Sequence, residues 1–139
     1  MRILALDVGT NNIGIAISDE LEIIASAVDT LRRTNTASDF EHIAKIIKDR
    51  GVKELVVGLP VTLSSKETDS TKKVTEFVEQ LKPYIDVPVI FRDERLTTKE
   101  AEKLLISFDT SRKKRRNVID RMAAQLILQG YLDTKKRPV

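Results

Sequence analysis

The apolar residues of this chain begin with strand spacing and later alternate between helical and strand spacing, and this order limits the folds that the chain can form. Up to residue 31 the pattern is that of strands: Ile3–Leu6 is an apolar run, Ile13, Ile15 and Ile17 alternate with small residues, and Ile23–Leu31 is again strand-like. Turn-forming residues separate these runs, so the pattern predicts three consecutive strands that pair as an antiparallel meander.

Helical spacing begins after this meander. Four segments place apolar residues at intervals of three and four, which is typical of helices buried on one side. These segments are Phe40–Ile47, Val74–Leu81, Ala101–Phe108 and Ile119–Ile127. Ser38 and Glu41 could form a capping box before the first helix, and Gly51 stands where that helix should end. Two short apolar strands, Leu55–Leu59 and Val87–Phe91, lie between the helices.

The resulting order, β-β-β-α-β-α-β-α-α, predicts an α/β fold. We expect a mixed five-stranded sheet, with an antiparallel three-strand meander and two parallel strands, flanked by about four helices. A length of 139 residues, 41% of them hydrophobic, suits one domain over residues 1–139. The absence of cysteine excludes disulfides and thiolate metal sites. No apolar run approaches the roughly 20 residues of a membrane span, so we expect a cytoplasmic protein.

Basic residues are concentrated in two places, although the formal charge is only +3. The first is the consecutive run Arg112, Lys113, Lys114, Arg115 and Arg116, and the second is Lys135, Lys136 and Arg137. Clustered cations favour polyanionic partners such as nucleic acid. The polar stretch Ser107–Asn117 around the first cluster is predicted to be a loop. The alternative is therefore that the clusters are merely a solvated loop and a frayed tail.

Acidic side chains follow two of the predicted strands. Asp7 comes directly after Ile3–Leu6, and Asp93 and Glu94 come after Val87–Phe91. Because ligands favour the carboxyl ends of strands in open α/β sheets, we expect these acids to meet at one edge of the sheet. Each has a structural alternative. Asp7 could hydrogen-bond the turn that follows it, and Asp93 and Glu94 could cap a helix.

A further acid, Asp120, lies on the last predicted helix. It shares one side of that helix with Ala123 and Ala124, and small residues let a helix approach a sheet closely. A carboxylate pressed against the sheet in this way costs several kcal/mol unless a cation or a metal compensates it. The alternative is a salt bridge to Arg116 or Arg121.

Three acids from separate elements at one sheet edge match an oxygen-ligated metal site. Mg²⁺ or Mn²⁺ suits such ligands, and two ions about 3.5–4 Å apart can activate water and stabilise the leaving oxygen of a phosphodiester. This chemistry needs no nucleophilic side chain. The one histidine, His42, lies in the first predicted helix and is assigned no catalytic role. The residues thus predict a nuclease with a divalent-metal cofactor.

Four stretches of the chain together resemble the YqgF family of Holliday junction resolvases or pre-rRNA nucleases, within the RNase H-like superfamily. They are Leu6–Asp19 (LDVGTNNIGIAISD), Val56–Pro60 (VVGLP), Asp93–Ala101 (DERLTTKEA) and Asp120–Leu128 (DRMAAQLIL). Their order and spacing cover nearly the whole chain, and the basic stretch SRKKRR before the last one is also similar to the family pattern.

The resemblance implies an RNase H-like fold with a metal-binding triad of Asp7, Glu94 and Asp120. It leaves Asp93 as a supporting ligand or a cap, and it suggests that Thr10 and Arg95 approach the scissile phosphate. The role that it implies is maturation of the 5′ end of the small-subunit (16S) rRNA precursor. The chain departs from the family pattern at Asn11 and Asn12 and in the loop after Pro60, and both regions would contact substrate.

Three functions follow from these residues and this resemblance. The leading one is a metal-dependent endonuclease, with structured RNA and ribosomal precursor particles as partners. The second is a Holliday junction resolvase on branched DNA, which would need a homodimer rather than a monomer to match the symmetry of its substrate. The third is a non-catalytic RNA-binding module of ribosome assembly. An ATPase of the sugar-kinase or actin type is disfavoured, since those proteins need two such domains and this chain has no Walker-type loop.

Overall fold

A computed structural model gives the structure of this protein and describes residues 1–59, 69–93 and 112–136. Five strands form one sheet: β1 (Arg2–Val8), β2 (Asn12–Ser18), β3 (Ala25–Arg32), β4 (Val52–Leu59) and β5 (Val89–Asp93). They lie in the order β3-β2-β1-β4-β5. The first three strands pair antiparallel, and β1, β4 and β5 run parallel. The predicted mixed sheet is confirmed.

Three α-helices lie within the described residues: α1 (Ala37–Asp49), α2 (Asp69–Leu81) and α3 (Arg112–Lys136). A short 3₁₀ helix, Lys82–Tyr84, follows α2. Gly51 follows α1 with a φ of 63°, the left-handed conformation that ends many helices, as the sequence predicts. The helix predicted over Ala101–Phe108 lies outside the described residues. None of the described helices is long and apolar enough to cross a membrane.

The two faces of the sheet carry different cores. On one face, Leu4 and Leu6 of β1 pack with apolar residues of α1 and α2, including Ile43 and Phe77. On the other face, Ile3, Ala5 and their neighbours pack under α3. We call these the α1/α2 face and the α3 face. Because side chains alternate along a strand, every strand residue can be assigned to one face by counting from these core residues.

The α3 face of the sheet is built largely from small residues. Ala5, Ala16 and Ala25 are buried there beneath Ala124, Ile127, Leu128 and Leu132 of α3. Side chains of this size let the helix axis lie close to the strands, as the alanines of the last predicted helix suggested.

The direction of α3 is set by polar contacts at its far end. Tyr131 donates a hydrogen bond of 2.9 Å to Glu54 at the start of β4, and Lys135 pairs with the same carboxylate at 2.8 Å. Ala124, two turns earlier, lies instead beside Gly14, which pairs with Asp7 near the end of β1. The helix therefore runs antiparallel to β1. Its N-terminal half points towards the edge where β1, β4 and β5 end, which we call the carboxyl edge.

Two local predictions are wrong. The capping box of Ser38 and Glu41 does not form, because the N-cap of α1 is Thr36, whose side-chain oxygen accepts a hydrogen bond from the backbone N–H of Ser38. The predicted loop over Ser107–Asn117 is helical from Arg112 onwards. Lysine and arginine are good helix formers, and neither proline nor glycine interrupts the sequence between residues 107 and 129.

Candidate active site

Asp7 lies near the end of β1, the strand between β2 and β4. It is half-buried, and it is two residues beyond Ala5 and four beyond Ile3, both of which are buried under α3. Strand alternation therefore places the Asp7 side chain on the α3 face, at the carboxyl edge. Asp7 therefore lies at the sheet edge where a site residue is expected, and its catalytic role stays a prediction.

Glycines stand next to Asp7 on both neighbouring strands. On β2, Gly14 pairs with Asp7. On β4, Val57 pairs with Leu6, so that one residue further along both strands Gly58 comes beside Asp7. Gly58 in turn pairs with Arg92 of β5. A transverse row of Gly14, Asp7, Gly58 and Arg92 thus crosses the α3 face, and no neighbouring side chain within this row covers the carboxylate from either side.

Gly14 also sets the distance between Asp7 and α3. A Cβ atom added at Gly14 would lie 3.5 Å from the Cβ of Ala124 and 3.6 Å from the Cβ of Asp7. These are ordinary van der Waals distances, so position 14 has room for one methyl group and no more.

We expect Gly14→Val to damage activity strongly, while Gly14→Ala is tolerated. The additional methyl groups of valine would push Asp7 and α3 apart, and overpacking of this kind costs about 1–3 kcal/mol. A displacement of about 1 Å at a catalytic group can cost a hundredfold in rate. Thermal unfolding and cleavage rates of the two variants test this. A Gly14→Val protein as active as Gly14→Ala would show that Asp7 and α3 need not stay close.

The backbone of Asp120 lies in α3, one turn before Ala124. One turn is four residues, or about 6 Å along the axis, and residues four apart share a side of a helix. Because α3 runs antiparallel to β1, this turn continues from Gly14 past the carboxyl edge, where Asp7 lies. The backbone of position 120 therefore lies about one turn beyond Gly14, at the same edge of the sheet as Asp7. The side chains of residues 112–121 lie outside the description.

Asp93 is the last residue of β5 and pairs with Leu59. Val89 packs in the core of the α1/α2 face, whereas Ile90 packs under α3. Alternation therefore places Asp93 on the α1/α2 face, opposite to Asp7. Arg92 lies on the α3 face, where a Cβ atom at Gly130 would come within 2.8 Å of its Nη2. The predicted site residues Glu94 and Arg95 lie outside the described residues.

The turn between β1 and β2 requires glycine at position 9. The backbone N–H of Gly9 donates to the carbonyl of Asn12 at 2.9 Å, and an added Cβ would come within 2.8 Å of that same oxygen. Since that atom belongs to the backbone, a larger residue would have to move the turn. Thr10, which the resemblance places near the scissile phosphate, follows directly in this turn.

A residue that the sequence did not single out, Arg33, holds this turn in place. Its backbone N–H donates to the carbonyl of Asn11 at 2.8 Å, and its Nη1 donates to the carbonyl of Gly9 at 2.9 Å. Its guanidinium carbon lies 5.1 Å from the ring centroid of Phe77 on α2, a cation–π distance. Arg33 therefore connects the turn after Asp7 to α2.

The donor set fits hard divalent cations. Carboxylate oxygens are the ligands that magnesium and manganese prefer, and a cation compensates the cost of bringing acids together. Among the residues that the structure describes, no group of three or more His, Cys, Asp or Glu side chains is placed to hold a metal ion. Of the predicted triad Asp7, Glu94 and Asp120, only Asp7 has its side chain among the described residues.

Comparison with known proteins identifies the family. The sequence profile described as "RuvX: Holliday junction resolvase" matches residues 1–134. The chain belongs to the RuvX family. This confirms the resemblance to the YqgF family, which is the same group.

Two similar proteins match this RuvX-family chain over nearly its whole length. A protein of Halalkalibacterium halodurans is 48% identical over 138 residues, which is 98% of this chain and 99% of that protein. A protein of Desulforudis audaxviator is 45% identical over 136 residues, which is 98% of this chain and 96% of that protein. Both carry the name "Putative pre-16S rRNA nuclease".

Solved structures of Holliday junction resolvases share the fold of this RuvX-family chain. Thermus thermophilus RuvC in complex with a Holliday junction superposes with a TM-score of 0.58 at 12% identity, over 97% of this chain and 95% of that one. Fowlpox virus resolvase with junction DNA gives 0.51 at 13% identity, over 99% and 100%. At these identities the likeness shows the fold alone, and it confirms the predicted RNase H-like fold.

Proposed function

We propose that this chain is a metal-dependent endonuclease that cleaves structured RNA and processes the 5′ end of the 16S rRNA precursor. The observation that carries the proposal is the position of Asp7, between two glycines on the α3 face, with α3 leading Asp120 towards the same edge. The names of relatives at 45–48% identity over nearly the whole chain support the nuclease activity and this substrate.

Asp7, Glu94 and Asp120 are the proposed ligands. Glu94 is two residues after Arg92 and four after Ile90, which is the spacing of one strand face, and both of those residues lie on the α3 face. Asp93 lies on the opposite face from Asp7, which supports the proposal of Glu94, rather than Asp93, as the third ligand. Asp7 lies on the central strand β1, where pairing with the strands on both sides fixes its backbone position.

Each of these residues has a role that follows from its element. Asp7 on β1 and Asp120 on α3 would hold divalent ions between a strand and a helix that the small residues of the α3 face bring close together. When bound, such ions supply Lewis-acid stabilisation of the phosphodiester and activate water. The turn would offer the hydroxyl of Thr10 to the phosphate, and the hydrogen bonds from Arg33 to Gly9 and Asn11 hold this turn.

The basic residues Arg112–Arg116 are proposed to contact the backbone of the nucleic acid. Their backbone forms the first turns of α3, before Asp120, so the helix extends them beyond the carboxyl edge. Arg112, Arg115 and Arg116 are spaced by three and four residues, so they share one side of the helix.

Replacing Arg112, Arg115 and Arg116 with Ala is expected to weaken binding to all nucleic acids and to flatten its salt dependence. The slope of log K against log salt should fall by about 0.7–0.9 for each lost phosphate contact, and alanine keeps the helix intact. Anisotropy titrations at several salt concentrations measure this. Lys45 and Lys48, exposed in the second half of α1, serve as the control pair. An unchanged slope in the triple variant would show that this run is only a solvated face.

A Holliday junction resolvase is the second candidate, because the family description and the shared fold both favour it. A panel of substrates separates the two. Wild type and Asp7→Asn would be offered fragments of the 16S rRNA precursor, single-stranded RNA and four-way DNA junctions, with Mg²⁺ or Mn²⁺. We expect cleavage of the precursor fragment by wild type only. Cleavage confined to the four-way junction would replace the RNA proposal with the second candidate.

A further inference from the structure

A cleft of about 570 Å³ opens beside the proposed active site, between the turn after β1 and helix α2. Its lining includes the segment Asp7–Thr10 and Arg33, together with Lys73 and Glu76 of α2. A volume in this range holds a drug-sized molecule, and hence about one or two nucleotides of a single strand. Asp7 is one of the residues that line this cleft, which therefore reaches the end of β1 at the carboxyl edge.

The lining of the cleft includes a preorganised cation. Arg33 is fixed by the carbonyl of Gly9 and by the ring of Phe77, and its Nε is buried without a hydrogen-bond partner among the described residues. The next two residues are also held. The carboxylate of Asp39 accepts hydrogen bonds from the backbone N–H groups of Thr34 and Asn35 at 3.0 to 3.2 Å. A guanidinium that is already ordered loses little entropy when it binds an anion.

The charges around the cleft are mixed, which allows the proposal to be tested in both directions. Lys73 is exposed in the lining of the cleft, and it adds a second cation to Arg33. Glu76, one turn further along α2 and also exposed, places a negative charge in the same cleft. A polyanion in this cleft would be attracted by the first and repelled by the second.

We infer that this cleft binds the phosphate backbone of a single nucleic-acid strand that extends from the scissile bond at the carboxyl edge towards α2. The inference rests on the proposed nuclease function and adds a subsite to it. Thr10 and Arg33 contact the phosphate nearest to Asp7, and Lys73 contacts the next one along the strand. Glu76 weakens this contact and limits the affinity of the protein for its strand.

Two neighbouring lysines provide a matched test. Lys72 and Lys73 are both exposed on α2, but only Lys73 lines the cleft. Binding of a labelled single-stranded RNA would be followed by anisotropy at several salt concentrations, in EDTA so that no cleavage occurs. Lys73→Ala should lower the salt slope by about 0.7, the value for one phosphate contact of a single strand, while Lys72→Ala leaves it unchanged. Equal effects of the two substitutions would overturn the inference.

Removing the opposing charge should have the reverse effect. We expect Glu76→Gln to bind the same RNA more tightly than wild type at low salt, with the difference vanishing at high salt. An affinity that stays the same or falls at low salt contradicts the inference. These titrations need no catalysis, so they remain decisive if the panel assay shows no cleavage. Conversely, active enzyme whose binding ignores both Lys73 and Glu76 would reject the cleft and leave the nuclease proposal intact.

Discussion

Purified Asp7→Asn protein is expected to fold like the wild type and to lose cleavage activity by at least about a hundredfold. Residues that only support a metal ligand typically cost 10 to 100-fold in metal affinity or activity when they are changed, so removing a proposed ligand should cost more. The amide has nearly the same shape as the carboxylate, and the residues beside Asp7 on the two neighbouring strands, Gly14 and Gly58, carry no side chains. The folded structure should therefore tolerate the substitution, so a loss of cleavage activity would reflect the loss of the metal ligand and not unfolding.

The matched control for this substitution is Asp86→Asn. Asp86 is exposed and precedes β5, and therefore lies at the opposite edge of the sheet from Asp7. Cleavage rates and thermal midpoints of both variants are compared with those of the wild type. We expect Asp86→Asn to keep full activity. Cleavage by Asp7→Asn at more than a tenth of the wild-type rate would remove Asp7 from the catalytic site.

A large loss of stability is expected when Asp39, in the first turn of α1, is replaced. Its side chain is only 2% exposed, and besides the two backbone N–H groups its carboxylate accepts the hydroxyl of Thr34 at 2.8 Å. Asp39→Ala leaves these donors without their charged acceptor. A hydrogen bond to a charged group is worth about 1.5–3 kcal/mol, so we expect the free energy of unfolding to fall by about 2–3 kcal/mol. Asp49→Ala, at the exposed end of α1, is the control.

The same contacts make part of the stability depend on pH. Burial raises the pKa of Asp39, but the hydrogen bonds from Thr34 and Asn35 and the charge of Arg33 outweigh it, so that the pKa lies below its ordinary value. A depressed pKa in the folded state gives stability that is fully present above the unfolded pKa and is lost as the pH falls through the folded pKa. Urea unfolding across the acid range should show a shallower loss of stability in Asp39→Asn than in the wild type. Parallel curves for the two proteins would contradict this assignment.

The strands and the helix stripe next to the site could be predicted because their patterns are local. The alternation of Ile13, Ile15 and Ile17 fixes the face of β2, and the spacing of Asp120 and Ala124 is a property of any helix. Gly14 is one of the small residues of the first pattern, and a Cβ added there would lie 3.5 Å from the Cβ of Ala124 and 3.6 Å from the Cβ of Asp7. The glycine between two isoleucines was therefore a signal in the sequence for close packing beside Asp7.

Other features depend on contacts that no local pattern reveals. Ser38 competes with Thr36 as a cap, and the structure selects Thr36 because the carboxylate of Asp39 binds back to Thr34 and Asn35. Asn35 adopts the left-handed conformation, with a φ of 58°, which asparagine tolerates better than most residues. The role of Arg33 depends on Gly9 and on Phe77, which are 24 positions before it and 44 positions after it in the chain.

The cleft was missed for the same reason. Lys73 and Glu76 are ordinary exposed residues in the pattern of α2, and only the position of that helix beside the turn after β1 brings them into the same cleft as Asp7. The basic run at Arg112 was recognised from composition, but its helical backbone was not, because a charged stretch without apolar periodicity does not distinguish a helix from a loop.

The most direct test of the shared metal site is Mn²⁺ binding followed by electron paramagnetic resonance, with Asp7→Asn, Glu94→Gln and Asp120→Asn beside the wild type and Asp86→Asn. Three acids that hold the same ions should each be needed for binding. We therefore predict that all three site variants bind Mn²⁺ much more weakly than the wild type and that Asp86→Asn binds it equally well. Wild-type affinity in any one of the three would show that the acids do not form a common site.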